Sequence, residues 1–308
     1  MATSTAEPVS FADTDSRYDD MHSTIEAWIE ELSGLVDEAQ ASEEFQAWLD
    51  VQSRFHDYSY RNTLLIKQQC PEATQVAGYR TWQEEFDRHV KEGESAIWIW
   101  APIIAKRCPE CENSPSYHEK IDCEYDETPP EEWSKGLVGF RPVPVFDVSQ
   151  TEGEPLPELD TAASGDGEEL VSALLDVADE LELDVQVVES EDWSYGEAKG
   201  VCKHRSPMSM QPVVKVQARP NDADLATTLI HEYAHARLHF DLDDRDERAK
   251  REVEAEAVAY VVGRHFGLDA SNSAFYLAAW QDEETSMIQQ RLGRISAVSE
   301  EFITTLEG

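Results

Sequence analysis

Positive charge is scarce in this sequence. Its 308 residues carry 25 Lys and Arg, only nine of them Lys, against 64 Asp and Glu, for a formal net charge of −39. Such a chain repels itself at low ionic strength and needs counterions to stay compact. Acid-rich, lysine-poor composition is that of cytosolic proteins from salt-loving microbes. The competing reading is an acidic DNA mimic that decoys a DNA-binding enzyme. Cysteine is scarce too: five in a chain of this length exclude a disulfide scaffold, and in a reducing cytosol clustered Cys point to metal. Long apolar runs are missing, so no segment approaches the ~18 residues that a membrane helix requires. The opening MATSTAEPVSFADTD has neither a basic n-region nor an apolar h-region, which predicts a cytoplasmic protein with no membrane partner. What is present is 41 % apolar residues and eight Trp, enough for a sizeable core and for two domains of ordinary size.

Residues 1–20 are polar, acidic and without period, and read as a disordered tail. Apolar residues then recur at three- and four-residue spacing (Ile25, Trp28, Ile29, Leu32, Leu35, Val36, then Phe45, Trp48, Leu49), which predicts helices. A mixed region runs to about residue 150. The Pro-, Gly- and acid-rich stretch 151–168 reads as a linker. Beyond it a helix is predicted over 170–183, strands over 185–188, 199–203 and 213–217, and helices over 222–240, 247–267, 274–281 and 284–306. Sheet followed by helices predicts an α+β domain at 169–308, preceded by another at 21–150.

His231-Glu232-Tyr233-Ala234-His235 is the sharpest local signal. A spacing of four puts both imidazoles on one helix face, one turn apart, where both reach a single ion. Glu232 is placed to act as the catalytic base, taking a proton from water that zinc has acidified. The helix is apolar elsewhere (Leu225, Leu229, Tyr233, Leu238), and burying His and Glu without a partner is costly. A catalytic zinc needs a third protein ligand. Glu252 and Glu256 on the next predicted helix share a face: Glu252 reads as the ligand and Glu256 as the group that orients one, with the reverse assignment open. His239, one turn beyond His235, reads as a satisfied histidine. Without metal, the whole set would be an acidic, exposed helix pair.

Residues 54–110 break the charge pattern, with eight Lys and Arg (Arg54, Arg61, Lys67, Arg80, Arg88, Lys91, Lys106, Arg107) balancing eight Asp and Glu. The same window holds Phe55, Tyr58, Tyr60, Tyr79, Trp82, Phe86, Trp98 and Trp100. Cations that track phosphates, interleaved with rings that stack on bases, suit a single-stranded DNA surface. Rings simply buried in a core are the alternative. Between them and the predicted linker, Cys108-Pro-Glu-Cys111, His118 and Cys123 lie in a polar stretch that cannot build its own core. Their spacing suits a Cys₃His structural zinc, against a redox pair or unligated thiols.

Two groups of motifs resemble one family. HEYAHARLH, then REVEAEAVAYVVGRHFGLD and FYLAAW, resemble the metallopeptidase domain of ArdC-type antirestriction proteins and the wider ImmA/IrrE group. Tyr58-Ser-x-Arg61-Asn62, Gly78-Tyr-Arg-Thr-Trp82, Lys91-x-Gly93-Glu94 and Val145-Phe-Asp-Val-Ser-Gln150 resemble the single-stranded-DNA-binding domain of the same proteins, in the same order. The resemblance implies a zincin-like domain at 169–308: His231, His235 and Glu252 as zinc ligands, Glu232 as base and Glu256 behind the ligands. It further implies single-stranded DNA as a partner through Tyr58, Tyr60, Arg61, Asn62, Lys67, Tyr79, Arg80, Trp82, Arg88 and Lys91. The implied function is protection of incoming plasmid or viral DNA with a zinc peptidase acting on a protein or peptide substrate. Two alternatives share these residues, namely a regulatory protease that cleaves a repressor and a DNA escort whose zinc site is not catalytic.

Overall fold

The computed structural model describes residues 8–34, 38–156, 167–203, 211–239, 247–269, 275, 277–280 and 283–308. The described chain mixes α and β and divides into two compact units, 1–23 with 68–154 and 24–67 with 155–308.

The first unit is built on a long antiparallel pair, β3 (Ile97–Lys106) with β4 (Lys135–Asp147), bulged between Ile103 and Ile104. A two-residue strand β1 (Val76–Ala77) extends β4, and β2 (Arg88–Val90) pairs separately with β5 (Thr151–Gly153). Strand β3 is rich in Ile and Trp, the residue types that suit a half-buried pleated surface, and it buries Ile97, Ile99 and Trp100. The short helix α4 (Tyr79–Glu84) plugs the sheet with Trp82, which is fully buried and donates its indole N–H to the Phe146 carbonyl at 2.9 Å. Asp147 closes the end of β4 with a reciprocal cap: its carboxylate accepts from Ser149 N–H while Gln150 accepts from Asp147 N–H.

The second unit pairs a small mixed sheet with a helical core. Strand β8 (Val213–Gln217) lies between β6 (Asp184–Val188), parallel to it, and β7 (Gly200–Lys203), antiparallel. All three strands fall within a residue of their predicted spans. Helices α7 (Asp222–His239), α8 (Arg248–His265) and α9 (Thr285–Glu307) likewise follow the apolar periodicity closely, whereas α6 (Glu168–Asp176) ends seven residues short of its predicted limit. In the segment predicted as a helix over 274–281, residues 274, 276 and 281 lie outside the described residues, and Leu277–Trp280 form a single 3₁₀ turn. The buried faces of α2 (Glu38–Arg54) and α3 (Tyr60–Gln69) join this core. Phe45 meets Phe275 and Trp280 edge-on at 5.2 and 5.3 Å, and Trp48 donates to Thr63 Oγ1 at 3.0 Å.

Three expectations about organisation change. The predicted division at residue 150 is crossed, because 24–67 group with the C-terminal residues. The apolar faces of α2 and α8 pack together, and Tyr260 donates to Asp50 at 2.8 Å. The acidic start, expected to be disordered over 1–20, is ordered from residue 8 within the described residues: Phe11 is buried, and Arg17, at the start of α1 (Arg17–Gly34), donates to the Phe11 carbonyl and lies 3.5 Å over the Trp98 ring. The linker expected over 151–168 begins as strand β5, and its residues 157–166 lie outside the described residues. Among the described residues no helix is long and apolar enough to cross a membrane.

Candidate metal centre

Helix α7 starts at Asn221, whose side chain accepts the Asp224 N–H at 3.1 Å, and continues through HEYAH to His239. The 3.6-residue period stacks His231, His235 and His239 on one face. Helix α8 packs against that face and presents Glu252 and Glu256 from successive turns.

His231 and His235 bring their Nε2 atoms to 3.0 Å. Glu252 Oε2 stands 3.5 Å from one and 3.6 Å from the other, and the ligand atoms of these three residues lie within 4.8 Å of one another. The outer ring nitrogens are committed elsewhere. His231 Nδ1 faces Glu256 Oε2 at 3.4 Å. His235 Nδ1 faces His239 Nδ1 at 3.0 Å, and His239 Nε2 faces Glu254 Oε2 at 2.8 Å. A carboxylate only accepts, so the proton on His239 belongs on Nε2, its Nδ1 accepts, and the proton on His235 belongs on Nδ1. Both Nε2 atoms therefore turn lone pairs toward each other and toward a carboxylate. That arrangement calls for a cation. With only protons available, burial opposes a charge on His231, but Glu252 and Glu256 outweigh it and push this imidazole up to about 9. Glu252 is held far below the usual carboxylate range, chiefly by His231 and then by His235. The donor set of two imidazoles and a carboxylate fits a divalent metal, and the position of Glu256 behind His231 is that of a carboxylate orienting a ligating histidine.

Glu232 is buried and lines the same cleft as His231, His235 and Glu252. Burial raises its carboxyl above its ordinary value, although His231, His235 and the Cys202 N–H that donates to it pull the other way. Strand β7 passes over it so closely that a Cβ at Gly200 would fall 2.6 Å from Glu232 Oε1. β7 is an edge strand of its sheet among the described residues. It borders a cleft of about 990 Å³ whose lining includes Lys199, Cys202, His231, Glu232, His235 and Glu252. Burial pushes the Cys202 thiol up to about 12, so it is an inert wall of this cleft rather than a nucleophile.

One layer of this centre escaped the sequence reading. His239 is 4 % exposed and satisfied as expected, but through unforeseen partners: it links His235 to the fully buried Glu254, which in turn pairs with Arg294 and stands 3.5 Å from Arg291. Its signal was the third histidine of an i, i+4, i+8 series, with Glu254 on the face of α8 opposite to that expected for ligands.

The Cys insert is also assembled. Cys108, Cys111, His118 and Cys123 place four ligand atoms within 4.8 Å. Desolvation opposes ionisation of Cys111, yet the Asn113 N–H and the His118 ring outweigh it and hold the thiol at about 6.

The residues expected to contact DNA scatter. Trp82 and Asn62 are buried, so neither offers a face to a base. Lys67 is paired with Glu44 at 2.9 Å, and Arg88 is spent on Thr151 and the Glu154 carbonyl. Tyr58, Tyr60 and Arg61 are half-buried in the second unit. Tyr79, which is 48 % exposed, Arg80 and Lys91 are exposed in the first unit, Lys91 donating to the Ser149 carbonyl.

Residues 15–142 match the family model of the N-terminal domain of anti-restriction factor ArdC. An uncharacterized protein of Bacillus anthracis, pXO2-81, is 25 % identical over 278 residues, 83 % of this chain and 46 % of its own length, so the chain spans about half of that relative. The crystal structures of the antirestriction protein ArdC from plasmid R388 superpose with TM-scores of 0.44 in the metal-free form and 0.48 in the Mn(II)-bound form, at 15 % and 13 % identity. They cover 80 % and 93 % of this chain, and 83 % and 96 % of their own.

Proposed function

We propose that the chain, whose residues 15–142 match the family model of the N-terminal domain of anti-restriction factor ArdC, is an antirestriction protein of the cytoplasm that protects incoming mobile-element DNA. On this reading, residues 21–150 contact single-stranded DNA and residues 169–308 carry a metal-dependent peptidase centre. The observation that carries the second half is the convergence of His231 Nε2, His235 Nε2 and Glu252 Oε2 beside a buried Glu232. A divalent ion, zinc by the nature of the donors, would be held by those three residues and would supply a Lewis acid for an amide carbonyl. The chain's own residues do the rest. Glu256 and His239 fix the two imidazoles with their Nε2 atoms inward. Glu232, its carboxyl raised by burial, holds and passes a proton at the floor of the cleft. The open edge of β7 beside Glu232 offers main-chain groups to an extended peptide.

The reading is tested with Glu232→Gln, which keeps the side chain's volume and removes its basicity. Loss of protection in a plasmid-transfer assay, with single-stranded DNA binding retained, supports a peptidase. Protection unchanged from wild type would overturn the catalytic role and favour a DNA escort whose metal is not catalytic.

A further inference from the structure

Between β3 and β4 the chain leaves the sheet for residues 107–134, and this insert has almost no core. Its buried apolar side chains are Cys108 and Trp133. Two such residues do not offset the conformational entropy of ordering so long a segment. Something else must hold it together.

Its backbone is arranged around the sulfur atoms. Glu112 N–H donates to the Cys108 carbonyl at 3.0 Å, and Cys108 N–H donates to the Asn113 carbonyl at 2.9 Å, curling Cys108–Asn113 into a tight knuckle. The Asn113 N–H donates to the Cys111 sulfur, and in the other arm the Tyr125 N–H donates to the Cys123 sulfur. These two sulfurs each accept from the residue two positions on. The knuckle forces Glu112 to φ +59° and the second arm forces Asp122 to φ +51°, a left-handed conformation that ordinary side chains keep only where surroundings impose it. The fourth group comes from helix α5 (Pro115–Lys120): His118 Nδ1 lies 3.6 Å from Cys111 Sγ. Trp133 packs edge-on against that ring at 5.0 Å and is pinned through its indole N–H to the Thr128 carbonyl at 2.9 Å. At the base, Arg107 N–H donates to the Ser134 carbonyl and Lys106 to the carbonyls of Glu131 and Trp133.

We propose that Cys108, Cys111, His118 and Cys123 bind one Zn²⁺ in a closed, four-ligand structural site that serves as the core of the 107–134 insert. Three soft sulfurs and an imidazole select zinc over the hard cations Mg²⁺, Ca²⁺ and Mn²⁺, and four protein ligands leave no position open for substrate. Binding displaces the thiol protons to solvent, with no redox change. The site is independent of the His231/His235/Glu252 centre.

The test uses the full chain carrying His231→Ala and His235→Ala, so that the other centre cannot contribute metal. Mass spectrometry should find about one zinc ion per chain. Cobalt exchanged into it should give the intense sulfur-to-cobalt band and the visible spectrum of a tetrahedral site. Adding Cys111→Ser and Cys123→Ser should abolish both signals and open 107–134 to protease while the remaining fragments stay resistant. Should those variants not fold, iodoacetamide on the unmutated native chain gives the answer: Cys108, Cys111 and Cys123 resist alkylation until a chelator is added. A zinc-free chain whose three thiols alkylate at once would overturn the proposal. So would zinc that survives the Cys substitutions, or a disulfide among the three.

Discussion

Gly200 and Glu232 approach so closely that a Cβ on residue 200 would stand 2.7 Å from Glu232 Cγ and 2.9 Å from its Cδ. A side chain at residue 200 fits only if Glu232 moves. Gly200→Ala must push the Glu232 side chain off its floor position, at about 1–3 kcal/mol of overpacking strain. His231, His235 and Glu252 are untouched by this change. The variant should therefore bind metal like wild type and lose protection like Glu232→Gln, with a modest fall in Tm. Full protection by Gly200→Ala would mean that the position of Glu232 is immaterial.

The two glutamates of α8 should separate by the size of their effect on metal. Glu252 faces both Nε2 atoms, whereas Glu256 meets the outer nitrogen of His231. Removing an orienting carboxylate weakens metal binding about 10–100-fold, or about 1.4–2.8 kcal/mol. Competition titrations on Glu256→Gln should fall in that range, and Glu252→Gln should lose more. The opposite order would make Glu256 the ligand.

This pair also marks where the sequence stopped being informative. The four-residue spacing in HEYAH fixes two rings on one face of any helix, and the strands and helices of 184–239 follow from periods of 2 and 3.6. Which face of α8 meets α7 depends on a rotation that boundary errors of a residue or two blur, so the roles of Glu252 and Glu256 stay interchangeable in the sequence and Glu254 goes unremarked. The partner of an amphipathic helix is likewise unwritten in its own period: Phe45 announces burial but not that Phe275 and Trp280 meet it. For the aromatics of 54–110 the limit is related, since composition counts rings without saying which way they point: Trp82 is buried and Tyr79 is half-exposed.

Trp82 and Tyr79 illustrate that difference and can be told apart. Trp82→Phe removes a buried hydrogen bond and part of a packed ring, and should cost about 2 kcal/mol of stability. Below its Tm it should bind single-stranded DNA as wild type does. Tyr79 is half-exposed beside Arg80, and Tyr79→Ala should cost about 1–3 kcal/mol of DNA affinity for each base it stacks, with stability changed by less than about 0.5 kcal/mol. Fluorescence anisotropy with labelled oligonucleotides, alongside thermal melts, gives both numbers. A Trp82→Phe chain that is folded but defective in DNA binding would return Trp82 to the interface.

Asp147 should make the stability of the first unit sensitive to acid. Burial alone would raise its carboxyl. The N–H groups of Ser149, Thr74 and Gln75, at 2.9, 2.8 and 3.1 Å, outweigh burial and hold it below its ordinary value. A carboxyl depressed in the folded state binds fewer protons there than in the unfolded chain. Its stabilisation is therefore fully present above the unfolded value near about 4 and is lost as pH falls through the lower, folded one. Asp147→Ala leaves three backbone donors without their acceptor and should cost about 2–3 kcal/mol at neutral pH. In Asp147→Asn the neutral-pH stability should drop less, and hydrogen exchange at Thr74, Gln75 and Ser149 should lose its acid-dependent step. Identical acid profiles for wild type and Asp147→Asn would show that other carboxylates govern the response.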